Sequence, residues 1–126
     1  MAASSGKGDR GKATRLHSRM VRERAGFVCE RCGRTNDEAQ MQCAHIVSRT
    51  YSHTRTDEDN AICLCGKCHF YFSKWPIEFA EFVFEKIGKA AYLKLKEKAE
   101  SGVGVKMDWS AELVRLQNVH SGRVSG

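Results

Sequence analysis

The chain has 126 residues, of which 41% are hydrophobic and 29% charged, with a formal net charge of +6. That length suits one domain with a modest core, and no apolar run is long enough to cross a membrane. The charge is uneven: residues 1–36 hold nine Lys/Arg (Lys7, Arg10, Lys12, Arg15, Arg19, Arg22, Arg24, Arg31, Arg34) against three acids (Asp9, Glu23, Glu30), and the rest is balanced. A concentrated basic segment attracts a polyanion, most often nucleic acid, and the plainer alternative is a solvated tail.

Met1 to Gly11 is small and polar with no apolar stretch of the kind a leader needs. No signal peptide is therefore expected, and the expected compartment is reducing and cytoplasmic. Residues 1–12 read as a disordered basic tail, 13–118 as a single domain with its core at 27–75, and 119–126 as a second frayed tail. Leu16, Met20 and Val21 recur at helical spacing and predict a short basic helix over 13–25, stopped by Gly26. Met41 to Val47 and Asn60 to Leu64 read as two short strands of a hairpin with a polar connection. His69 to Ser73 starts a short helix that Trp75-Pro76 ends, and Pro76 suits the first turn of the next. The apolar residues Ile77, Phe79, Ala80, Phe82, Val83, Phe84 and Ile87 predict a well-buried helix there, broken by Gly88. A further helix follows over 90–99, and Asp108 is placed to cap a last one through Leu116.

Two Cys-x-x-Cys pairs, Cys29–Cys32 and Cys65–Cys68, frame the middle of the chain, 32 residues apart. Each pair can put two thiolates on one ion, and together they complete a closed tetrahedral zinc site. Gly33, after the second cysteine, lets the backbone turn so that amides face the sulfurs. Free thiols or redox pairs are the alternative, but no βαβ pattern surrounds either pair. Cys43 and Cys63 are unpaired by spacing and read as buried strand cysteines.

Three further residues suit phosphodiester hydrolysis, which needs a base to activate water, a cation to stabilise developing charge and a group to orient the base. His45 ends the first strand, Asn60 starts the second and His69 enters the helix. A strand, loop, strand and helix can bring all three to one cleft.

These residues carry a resemblance. Ala44-His45-Ile46, Asp59-Asn60-Ala61 and Leu64-Cys65-Gly66-Lys67-Cys68-His69 resemble the HNH endonuclease family, with 15 residues from His45 to Asn60 and nine from Asn60 to His69. The cysteine frame is similar to the zinc-stapled phage and bacterial branch, and Thr54-Arg55-x-Asp57-x-x-Asn60 looks like phage-encoded members. The resemblance covers about residues 25–75. It implies an α+β fold: a ββα-metal hairpin-plus-helix core with four-cysteine zinc knuckles, flanked by a basic N-terminal helix and C-terminal helices. It implies a metal-dependent DNA endonuclease with low sequence specificity, acting in the host cytoplasm if phage-encoded. By position, His45 matches the general base, Asn60 the residue that fixes the hairpin and orients that base, and His69 a ligand of a catalytic Mg²⁺, Mn²⁺ or similar cation. Cys29, Cys32, Cys65 and Cys68 match the structural zinc ligands. Many members carry Asp or His directly before the base and some carry a further histidine four residues after the last one; here those places hold Ala44 and Ser73. His53, Asp57 and Cys43 are the candidates to assist. Arg22, Arg49 and Arg55 are expected DNA contacts, with a salt bridge to Asp57 or Asp59 as the alternative for Arg55. Expected partners are duplex or branched DNA and other phage DNA-processing proteins, with no membrane; the chain would be a monomer or a homodimer. The alternative function is a zinc-stapled DNA-binding or scaffold module that has lost the chemistry.

Overall fold

The computed structural model of the protein describes residues 2–35 and 40–125. The chain is α+β, with a two-stranded antiparallel sheet and five helices among the described residues. In order these are α1 (Ala2–Arg24), β1 (Met41–His45), β2 (Ala61–Cys65), α2 (Gly66–Lys74), α3 (Pro76–Ile87), α4 (Lys89–Ser101) and α5 (Trp109–Ser125). The strands pair in register from Met41↔Cys65 through Cys43↔Cys63 to His45↔Ala61. No helix of the described residues is long and apolar enough to cross a membrane.

Helix α1 is longer than the segment 13–25 that its apolar spacing predicts. Residues 8–12 and 119–123, expected in frayed tails, lie within α1 and α5. Helix α1 supports the second of these ends. Ala13, Met20 and Leu116 form a buried cluster flanked by Leu16, Trp109, Leu113 and Val119. His120 Nε2 lies 2.9 Å from Glu23 across the same interface. Helix α1 stops as expected at Gly26, at φ +66°. The amide of Gly26 donates to Glu23 (2.9 Å) and that of Phe27 to Arg22 (2.9 Å), the paired bonds of a Schellman stop.

The other face of α1 lies on the hairpin. Val21 joins Met41, Ala44, Ile62, Leu64 and Phe72 in the main core, and every residue of β2 is buried. Helix α2 begins at Gly66, earlier than expected, because the second cysteine pair forms its first turn and Cys65 Sγ caps the Cys68 amide. Trp75-Pro76 separates α2 from α3 as read, with proline in the first turn.

Helix α3 corrects the expectation of a well-buried element. Among its residues only Val83 is buried, and Ile77 is 76% exposed. Its covered face is narrow: Phe79 and Phe82 pack on Phe72 of α2 at ring separations of 5.1 and 5.2 Å. Phe84 turns away to meet Tyr92 edge-on. At the far end, Asp108 caps α5 as expected, accepting the Ala111 amide at 3.0 Å.

Candidate metal centre and hydrolytic cleft

The four cysteines of the two pairs converge, with all four Sγ atoms within 4.8 Å of one another. Cys32 and Cys65 Sγ are 3.8 Å apart, close to the edge of about 3.8 Å that a tetrahedron of Zn–S bonds requires. The amides of Cys32 and Cys68 point at the Sγ of Cys29 and Cys65, each at 3.5 Å. Gly33, at φ +76°, closes the first turn by donating to the Cys29 carbonyl. Burial acts to raise the Cys29 thiol, but amides of Cys32, Cys65 and Arg31 outweigh it and bring it down to about 6. The donor set and its spacing fit zinc.

The first knuckle is tied to the rest of the fold from both sides. Glu30 accepts the Cys63 amide at 2.7 Å and its own amide donates to Cys63 at 2.8 Å. Arg31 reaches Cys68 Sγ at 3.5 Å while stacking over Tyr71 at 4.3 Å.

Beside the staple, a cleft of about 610 Å³ is lined by Cys43, His45, Ser48, Arg49, Thr50, Arg55 and His69. His45 and His69 are thus brought to one place. His45 Nε2–H donates to the Arg55 carbonyl at 2.8 Å. A carbonyl can only accept, so the proton sits on Nε2 and Nδ1 keeps its lone pair. Burial, with His17, Arg49 and Arg55 nearby, pushes the imidazole down to about 4, against the upward pull of the Arg55 carbonyl. His45 is therefore a neutral base at physiological pH. His69 bonds Gln42 Oε1 through Nδ1 at 2.6 Å, which leaves Nε2 as its available donor. Burial lowers this ring too.

Asn60 is fully buried and does not touch His45. Its Oδ1 accepts the Val47 amide at 2.7 Å, and its Nδ2 donates to the carbonyls of Val47 (3.0 Å) and Thr54 (2.9 Å). It closes the long connection into a fixed loop. The carbonyl that holds His45 belongs to Arg55, the residue next to Thr54, so Asn60 is linked to the His45 ring through the loop backbone.

The remaining sequence candidates separate. Arg49 and Arg55 line the cleft; Arg22 does not. Arg55 donates to Thr14 Oγ1 (3.0 Å) and the Arg49 carbonyl (3.4 Å), and among the described residues it has no acidic partner. The alternative of a salt bridge to Asp57 or Asp59 is not formed: Arg55 spends its donors on Thr14 and Arg49, and Asp57 pairs with Lys98 at 2.7 Å. Burial, Arg49 and Arg10 push the Arg55 guanidinium down, as expected for a cation held among cations. Ala44, where the family often has a second ligand, is closed inside the apolar core. Ser73 is exposed and donates to the Phe70 carbonyl. Of the candidates to assist, only Cys43 lines the cleft. His53 lies instead against Gly102, with its Nδ1 buried and unpartnered.

One cleft neighbour was missed by sequence reasoning. His17 of α1 is fully buried, 5.3 Å from the His45 ring. Its Nε2–H donates to the Asp57 carbonyl at 2.8 Å, and its Nδ1 lies 3.9 Å from Cys43 Sγ. The available signal was a histidine at helical spacing between Ala13 and Val21 on the apolar stripe of α1.

The structure thus joins a hairpin crossed by a helix, a four-cysteine cluster that fits zinc, and two imidazoles in a basic cleft. The family model described as HNH endonuclease matches residues 29–70, and the four-cysteine cluster fits the zinc-stapled branch of that family. No curated protein and no solved structure matches the chain.

Proposed function

We propose that the protein is a metal-dependent DNA endonuclease that hydrolyses phosphodiester bonds with His45 as the general base. The observation that carries this reading is the fixed tautomer of His45: a neutral imidazole with Nε2–H spent on the Arg55 carbonyl and Nδ1 free, in the same cleft as His69. A water at Nδ1 would lose its proton to that nitrogen as it attacks phosphorus. Asn60 positions the loop that orients the base. His69 would hold a divalent cation through Nε2, Gln42 having fixed the ring by its other nitrogen. Such an ion, when bound, supplies charge stabilisation at the phosphate and the leaving oxygen.

Arg49 and Arg55 would take the phosphates on either side of the scissile bond, with Arg10 of α1 adding to the same positive field. These contacts read charge and not bases, so the expected substrate is DNA of little sequence preference. A role in phage or mobile-element DNA processing rests on likeness to phage-encoded members of the family.

A second reading is favoured by one observation. Ala44 leaves His69 without the neighbouring ligand common in the family, so the fold would persist as a zinc-stapled DNA-binding or scaffold module. Incubation with supercoiled plasmid and Mg²⁺, Mn²⁺, Ni²⁺ or Zn²⁺, beside His45→Ala, separates the two. Relaxed or linear product that requires His45 supports the enzyme, and equal traces from both proteins support the binding module.

A further inference from the structure

The cleft has a second set of metal donors that the hydrolytic reading does not use. Cys43 Sγ and one ring nitrogen each of His17 and His45 all lie within 4.8 Å of one another. Cys43 and His45 are two residues apart on β1 and so share a face of the hairpin; His17 comes over that face from α1. Each imidazole is already committed in the way a metal ligand is. Nε2–H of His17 is held by the Asp57 carbonyl and Nε2–H of His45 by the Arg55 carbonyl, each at 2.8 Å, so Nδ1 is the nitrogen left to bind. A backbone carbonyl behind the far nitrogen is the usual support of a metal-bound histidine, because it fixes both ring and tautomer. The 3.9 Å from Cys43 Sγ to His17 Nδ1 is close to the separation of about 3.6 Å that one zinc ion imposes on a thiolate and an imidazole.

We propose that His17, Cys43 and His45 form a second metal centre for a zinc-class cation, and that filling it shuts off the nuclease by occupying Nδ1 of His45. Three protein ligands leave the fourth position of a tetrahedral ion open to water from the cleft. Binding transfers the Cys43 thiol proton to solvent, and the ion keeps the thiolate. A nitrogen and sulfur donor set selects zinc, cobalt or nickel and rejects Mg²⁺, which demands oxygen. The same cleft can therefore tell an activating ion at His69 from an inhibiting one at His45. The inhibitory half rests on the reading of His45 as the base; the binding half does not.

The test begins with the protein carrying one zinc per chain at the four-cysteine staple. Titration with Co²⁺ should show a second equivalent with a sulfur-to-cobalt absorption band, and native mass spectrometry after zinc addition should show two ions per chain. Cys43→Ala should lose the band and weaken the second equivalent about tenfold or more. This variant removes only a sulfur from a half-buried position, and its retained first zinc reports that it is folded. His17→Ala should weaken the same equivalent. Binding of a single ion by the native chain, or a sulfur band that survives in Cys43→Ala, overturns the site. In Mg²⁺, zinc at the level that fills the second site should stop plasmid cutting by the native chain, and Cys43→Ala should need about tenfold more. Cutting that continues with the second site filled overturns the inhibition. Absence of cutting under every condition removes the nuclease reading and leaves the ion count to decide the site.

Discussion

At the scale of single residues, the site depends on which atom of each ring is free. His45 has its tautomer set by one carbonyl, and its pKa is lowered first by burial, with the His17 ring of α1 and the Arg49 and Arg55 guanidiniums of the loop also disfavouring a charge on it. A base whose imidazole titrates near 4, and not at 6.5, stays active in mild acid. Single-turnover cutting in Mg²⁺ should therefore hold most of its rate down to about pH 5.5, and loss of rate centred on 6.5 would contradict the environment described. Stability responds differently. The unfolded chain binds protons at both histidines from about 6.5 downward while the folded chain does not, so stability falls as pH drops through that window. Asn60 makes three hydrogen bonds from a fully buried amide. Asn60→Asp would set a carboxylate oxygen against two carbonyls, and thermal melting should show a loss on the order of 3 kcal/mol, with a smaller loss for Asn60→Ala. That His45 and His69 would meet in one cleft was legible in the sequence, because their order and spacing follow a family pattern; that Asn60 would be buried outside it was not. His17 was not, since a lone histidine on an apolar helix stripe does not reveal which partners tertiary packing will bring to it.

At the scale of elements, the C-terminal helices support the loop that lines the cleft. Thr56 of the loop donates to the buried Glu112 of α5 at 2.6 Å, and Arg115 joins Glu112 (2.8 Å) to Glu58 (2.9 Å). Lys98 of α4 holds Asp57, and Arg24 of α1 donates to the Glu58 carbonyl. These ties fix the stretch from Thr56 to Glu58, and this part of the loop supplies the carbonyls behind the two rings, Asp57 for His17 and Arg55 for His45. Thr56→Val should cost about 1–3 kcal/mol in chemical denaturation, because it strips a hydrogen bond from a buried carboxylate. It should also slow cutting although it lies outside the cleft, and an unchanged cutting rate at unchanged DNA affinity would show that the loop holds itself. Helix ends were legible where local chemistry sets them, at Gly26, Trp75-Pro76 and Asp108. The continuation of α5 past Asn118 and the exposure of α3 were not legible. The first depends on α1 meeting Val119 and His120 from the other end of the chain, and the second on how much of an apolar helix its neighbours cover.

At the scale of the whole molecule, two structures of different origin hold the cleft between them: a thiolate staple under the hairpin, and a helical clasp of α1 with α5 above the loop. The staple joins residues far apart in sequence to a small core, so removing zinc should collapse the fold cooperatively. A melting transition unchanged by a strong chelator would contradict a structural role. DNA affinity should fall steeply with salt, by close to one logarithmic unit per logarithm of salt for each phosphate neutralised, and Arg49→Ala and Arg55→Ala should each reduce that slope by about 1. The most direct measurement is the single-turnover cleavage rate of a DNA duplex fully bound by protein in Mg²⁺, compared between the native chain and His45→Ala with the zinc staple intact in both. The expected result is equal binding with cleavage slowed about 10²–10⁴-fold in the variant. Equal cleavage by the two proteins, or no cleavage by the native chain, would contradict the assignment of His45 as the base of a working nuclease.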